Sequence, residues 1–212
     1  MDLRLDHVLI AVADLGEAAA RIGTHPGLTA FPGGRHPGVG TANMIVPLGR
    51  DYLELIAIVD EAEAATLKRS RRVRDAVEQG RTFAGWAVRT DNLDDLRRGL
   101  NRIGVTTSDP LDGARVRPDG VLLRWRTVEL LNPEPSDPFF IQWQVPAGFH
   151  PGEHPAAHRS RATGIGKVTA GRGGGVIAML AQAGIPVEVA GGEVRGLVSI
   201  ELDAPAGQIL MR

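Results

Sequence analysis

The sequence predicts an α+β protein made of β-α-β-β-β units. Two observations carry the prediction. Apolar and polar residues alternate over many short stretches, the period of half-buried strands. Three stretches also share one grammar: "LDHVLIAVADLGEAAARIGTHPGLTAF", "FAGWAVRTDNLDDLRRGLNRIGVTTSD" and "GIGKVTAGRGGGVIAMLAQAGIPVEVA". Each runs strand, turn, helix of about three turns, glycine and a second strand, and such self-similarity marks a repeated supersecondary unit.

The first unit covers residues 1–58. Its strand alternates Leu5, His7 and Leu9 with Val8, Ile10 and Val12. Asp14 is a natural helix N-cap, and "GTANMIVPLG" with "DYLELIAI" forms a hairpin pattern around Gly49. Residues 59–80 read as a connecting helix, acidic early and basic late as the helix dipole favours. Its run "KRSRRVR" is expected to be a solvated face. The second unit, 81–146, has Asn92 as N-cap, Gly104 as C-cap, and the strands "GVLLRWRTVEL" and "PFFIQWQV" around "LNPEPSD". Residues 147–162 form a Pro/Gly/His-rich linker, and 163–212 the third unit, with Gly184 as C-cap. A sheet with helices on one face needs cover on the other. Two units side by side therefore make a curved half-barrel around a cleft, helices outside. The third unit's apolar face must pack on these two or on another subunit, and a homodimer is expected.

Composition excludes several chemistries. The 212 residues include no cysteine, which removes disulfides, thiolate metal sites and cysteine nucleophiles. A formal net charge of −1 gives no footprint for nucleic acid, and no stretch is apolar for long enough to span a membrane. The start "MDLRLDH" lacks a signal peptide's apolar stretch, so a cytoplasmic setting is expected. "AGRGGGVIAML" opens a helix after a strand, yet Val176 stands where a dinucleotide fingerprint has its last glycine.

Polar residues on these strands are the candidate site. His7 is either a satisfied core histidine or a ligand. Tyr52, Glu54 and Ile56 share a face opposite Leu53 and Leu55, so Glu54 can point into the cleft with leucines behind it. Asn43, Tyr52, Arg124, Trp125, Phe140 and Gln142 are the substrate-binding candidates, since an arginine beside an aromatic ring can clamp a planar carboxylate. His36, in the glycine-rich "FPGGRHPGVGT", joins them as part of a loop over the cleft mouth. In "HPGEHPAAH", His150, His154 and His158 are spaced by four, but the prolines oppose a helix.

The repeat, with "LDHVLIAVADL" at one end and "GRDYLELIAI" at the other, resembles the vicinal oxygen chelate superfamily. "RHPGVGTANMIVPLGRDYLELIAI", "PDGVLLRWRTVEL" and "PFFIQW" look like its glyoxalase-like domain branch. The resemblance implies paired units that each give a metal one ligand from the first strand and one from the last. Here those positions hold His7, Glu54, Gly85 and Gln142. Glycine brings no donor and an amide a poor one, so no cofactor is expected. A divalent metal remains an alternative, with His7 and Glu54 as candidate ligands helped by substrate, water or a loop histidine such as His36. The expected function is binding of a small organic molecule, with Glu54 as general base and His7 its partner. Sequestration of an apolar or aromatic compound without turnover is the alternative.

Overall fold

The computed structural model describes residues 2–65, 67–172 and 174–212. Gly173, in the glycine-rich "AGRGGGV" turn, lies outside them. The first unit is β1 (Leu3–Ala11), α1 (Leu15–Thr24), β2 (Phe31–His36), β3 (Thr41–Pro47) and β4 (Tyr52–Ile58). The second is β5 (Phe83–Thr90), α4 (Leu93–Arg102), β6 (Leu111–Val116), β7 (Leu122–Val128) and β8 (Phe139–Trp143). Between them lie α2 (Glu61–Ala64) and α3 (Lys68–Glu78). The two units form one sheet of eight strands, ordered β2-β3-β4-β1-β5-β8-β7-β6. In each unit the first strand runs parallel to the last, and β1 joins β5 antiparallel at the centre.

Local chemistry explains the outer helices. Asp14 accepts the Glu17 amide at 2.8 Å and Asn92 accepts the Asp95 amide at 3.0 Å, closing the first turns of α1 and α4. α1 buries Ala18 and Ile22, and α4 buries Leu93, Leu96 and Leu100. These join Val8, Leu53, Leu55, Trp86, Val88 and Phe140 in one core on the face away from the cleft.

The sheet nearly closes on itself. "FPGGRH" is strand β2 rather than a loop over the cleft mouth, and the strand expected directly after α4 forms later, as β6. β2 and β6 meet across the open side, where Arg115 of β6 donates to the Gly33 carbonyl. Glycine permits this approach: a Cβ at Gly34 would lie 2.7 Å from the Val116 carbonyl oxygen, and its φ of 138° suits only glycine.

The third unit is β9 (Gly164–Ala170), α5 (Gly175–Gln182), β10 (Val187–Val189), β11 (Leu197–Asp203) and β12 (Ile209–Met211). It repeats the order of elements but not their pairing. Its sheet runs β10-β9-β11-β12, so its first strand lies between its second and third, not beside its last. Its apolar residues, among them Ile165, Val168, Ile177 and Leu202, belong to the same core as α1 and the large sheet. Ser136, before β8, donates to carbonyls of Arg172 and Gly196, and its own carbonyl accepts the Trp86 indole N–H at 2.8 Å. The third unit is thus covered within the chain.

The connecting segment also differs from expectation. It forms two helices, and α3 packs on the inner face of the sheet: Val73 is buried against Leu9 and Ile56. Ser70 is buried as well and donates to the Val39 carbonyl at 2.7 Å. The basic run is therefore one wall of the cleft, with only part of it solvated. No helix among the described residues is long and apolar enough to cross a membrane.

Candidate active site

The inner faces of both units enclose a cavity of about 200 Å³. β1 contributes His7 and Leu9, β4 contributes Tyr52, Glu54 and Ile56, and β8 contributes Phe139, Ile141 and Trp143. The period-two rule delivers these sets, since alternate residues of a strand share a face. Trp125, Thr127 and Glu129 of β7 and the segment after it complete one wall, and Arg69 and Arg72 of α3 another.

Glu54 stands at the centre of the polar contacts. Its Oε1 accepts from Asn43 Nδ2 at 2.6 Å, and its Oε2 lies 3.4 Å from His7 Nε2. His36 Nε2 is 4.0 Å from Oε1, while His36 Nδ1 pairs with the Thr41 hydroxyl at 2.8 Å. Burial, with Arg115 and Arg69 nearby, lowers the pKa of His36 against the pull of Glu54. The His7 ring stacks on Tyr52, centroids 4.6 Å apart, and burial raises the Tyr52 hydroxyl well above its ordinary pKa.

Asp6, which the sequence pattern does not single out, organises His7 from behind. It is fully buried, and its Oδ1 lies 2.6 Å from His7 Nδ1. Its other oxygen meets His150 Nε2 at 3.0 Å, Trp143 Nε1 at 3.2 Å and Arg89 Nε at 3.7 Å. Burial alone would raise its pKa. The hydrogen bonds from His150 and His7 outweigh burial and hold the carboxyl well below the usual range. An ionised carboxylate only accepts, so His7 Nδ1 carries a proton. Nε2 is therefore the ring nitrogen that faces Glu54.

The structure brings His7, Glu54, Asn43, Tyr52, Trp125 and His36 together and leaves three candidates out. Phe140 is fully buried in the core behind the sheet. Gln142 also points outward, where its amide donates to the Asp91 carbonyl at 2.7 Å and its oxygen accepts the Leu93 amide at 3.4 Å. Arg124 is exposed on the outer face, as Arg126 is turned to Asp94 of α4 at 3.7 Å. The residues that face inward are their neighbours, one position along.

The linker histidines have separate partners rather than a common metal. His154 meets the Phe31 ring edge-on at 4.6 Å between centroids. His158 Nδ1 accepts the Thr29 amide, so its Nε2 donates to the Pro47 carbonyl at 2.6 Å.

The donor set does not fit a four-ligand metal site. In the second unit the inward positions matching His7 and Glu54 are held by Gly85 and by apolar Ile141, with Gln142 turned away. Gly85 sits at a bulge opposite Leu9 with φ of 150°, and a Cβ there would meet the Arg72 guanidinium at 3.5 Å. That guanidinium lies over the Phe139 ring and pairs with Glu129 at 2.8 Å. Among the described residues, no three His, Cys, Asp or Glu side chains form a group that could hold a metal ion.

Two β-α-β-β-β units paired through their first strands, with a cleft lined from first and last strands, define a member of the vicinal oxygen chelate superfamily. The chain belongs to the family described as glyoxalase-like domain, which it matches over residues 5–172. No curated protein matches the sequence. Among solved structures, a hypothetical protein from Staphylococcus aureus is similar over 99% of this chain and 84% of its own, with TM-score 0.68 and 15% identity. A hypothetical protein from Bacillus halodurans aligns over 69% of this chain and 99% of its own, with TM-score 0.50 and 14% identity. Methylmalonyl-CoA epimerase from Mycobacterium tuberculosis aligns over 67% of this chain and 88% of its own, with TM-score 0.47 and 24% identity. At these identities the likeness concerns the fold.

Proposed function

We propose that the protein is an enzyme that moves a proton on a small organic molecule held in this cleft, with Glu54 as general base. The observation that carries the reading is the setting of the Glu54 carboxylate. Asn43 fixes one oxygen, and the other faces a histidine that is itself aligned by a buried aspartate. A base must be aimed before its basicity matters, and two anchored neighbours leave Glu54 little freedom. Abstraction breaks a C–H bond, leaves the electron pair on an adjacent carbonyl and puts the proton on Glu54. His7, with its Nε2 edge on Glu54, can take that proton or return it. Tyr52, His36 and Trp125, with Phe139 and Trp143, would make the contacts to substrate. We read the step as independent of metal, because only His7 and Glu54 occupy ligand positions.

The alternative is sequestration without turnover. The aromatic wall favours it: Trp125 and Trp143 lie 5.4 Å apart between ring centroids and suit a planar guest. One experiment separates the readings. Small carbonyl compounds with an acidic C–H are incubated with the protein in D2O and followed by proton NMR. Catalysed exchange that persists with a chelator and falls by about 10²-fold or more in Glu54→Gln supports the enzyme. Saturable binding with no exchange for any compound supports sequestration.

A further inference from the structure

Among the described residues Arg115 is the most buried arginine or lysine, and one backbone carbonyl holds its guanidinium. It is 4% exposed, lines the cavity from β6, and donates to the carbonyl of Gly33. No carboxylate pairs with it among the described residues. A guanidinium has five donors in a planar fork, and one backbone carbonyl leaves most of them unused. Burial has an electrostatic consequence: it lowers the pKa of Arg115, against the pull of Tyr52 and Glu54. Buried charges are ordinarily paired, so an unpaired one aimed into a cavity calls for a partner from outside.

A second cation stands on the same cavity. Arg69 of α3 lines it and has no carboxylate partner among the described residues, whereas Arg72 beside it is neutralised by Glu129. Of the carboxylates on the cavity, Glu129 holds Arg72, Asp112 is exposed and lies 3.9 Å from Arg126, and Glu54 is engaged by Asn43 and His7, so none pairs with Arg115 or Arg69. A bound carboxylate would give these two cations the partner that a neutral molecule does not. The wall between is aromatic, so a flat molecule fits.

We propose that the cleft is selective for small planar carboxylates, held by Arg115 with Arg69 at the rim. This rests on the proposed function only in placing the ligand in the same cleft. Arg115 is then a specificity residue, and its fork matches a carboxylate in two parallel hydrogen bonds.

Benzoate and benzamide, equal in shape and different in charge, test this through quenching of tryptophan fluorescence, since Trp125 and Trp143 line the cavity. Benzoate is expected to bind at least roughly tenfold more tightly than benzamide. That preference should vanish in Arg115→Gln and shrink in Arg69→Gln. If Arg115→Gln does not fold, the comparison on the unaltered protein and on Arg69→Gln decides. Equal affinity for the two probes, or no saturable binding of benzoate, overturns the proposal. Proton exchange on neutral carbonyl compounds with no benzoate preference would sink this inference and leave the proposed function standing. Benzoate selectivity that survives in Glu54→Gln, with no exchange on any compound, would do the reverse.

Discussion

Asp6 and His7 are consecutive in sequence, yet their side chains meet at 2.6 Å. In a regular strand neighbouring side chains leave on opposite faces. Here β1 pairs Leu5 with Val88 and His7 with Ala87, so Asp6 is an extra residue bulged out of the ladder. The bulge turns its carboxylate to His7 and fixes which ring nitrogen faces Glu54.

Asp6→Asn is therefore expected to act through His7. Catalysed proton exchange should fall by about 10²-fold with substrate affinity nearly unchanged. Nitrogen-15 NMR of the His7 ring supplies the decisive readout: the Nδ1–H form should dominate in the unaltered protein and lose its dominance in the variant. An unaltered tautomer balance with lost activity would show that Asp6 matters only for stability.

Gly33 makes a prediction about Asn43. A Cβ at Gly33 would stand 2.0 Å from Asn43 Oδ1, a distance that forces the amide to move. Gly33→Ala should thus detach Asn43 from Glu54 and cost as much activity as Asn43→Ala. The double variant should be no worse than either single one, since both remove the same hydrogen bond. Additive losses in a double-mutant cycle would contradict this.

Asp51 predicts a pH dependence of stability. Its carboxylate, buried at the joint with the third unit, accepts the Ile165 amide at 3.0 Å. Burial pushes its pKa up to about 7, with Asp6 and Asp203 adding and Ile165 and Arg50 opposing. The folded state then binds the proton more tightly than the unfolded one. The stability this brings is full below the unfolded value of 3.8 and is lost as pH rises through about 7. A roughly tenfold gain in proton affinity alone is worth ~1.4 kcal/mol. Asp51→Asn, which keeps the acceptor, should raise Tm by ~3 °C at pH 8 and leave it unraised near pH 4. Thermal scans at the two values check this.

The packing of the third unit bears on the expected homodimer. Its apolar face is covered by the other two units, so the reason for expecting a homodimer to cover it is gone. Light scattering at high micromolar concentration should give the mass of one 22.6 kDa chain. A concentration-independent dimer would point to an interface elsewhere on the surface.

The repeats, the helix caps and the placing of His7 and Glu54 were legible because they depend on local period and spacing. The misplacements share a cause. In "PFFIQW" and "LLRWRT" both faces of the strand carry residues that suit a cleft, so alternation cannot say which face is inner. Phe140, Gln142 and Arg124 each belong to the outer face, and Phe139, Ile141 and Trp125 to the inner one. Asp6 was hidden because a bulge breaks the period that reveals other residues. Arg115 was hidden because "LDGARV" has a weak strand signal, and its role depends on closing the ring against Gly33, a contact 82 residues away in sequence. The third unit's pairing was equally out of reach, since element order does not determine strand order.

The meeting of β2 and β6 also bears on how the chain behaves in a crowded solution. A sheet's outermost strands display unpaired backbone groups that can template the strands of another molecule. In the large sheet those two strands face each other, so neither offers an open ladder to a stranger. The remaining free borders are β10 and β12 of the small sheet, each three residues long. Such short borders give an incoming strand too few hydrogen bonds to hold it, and the molecule is guarded against edge-to-edge aggregation at both its sheets.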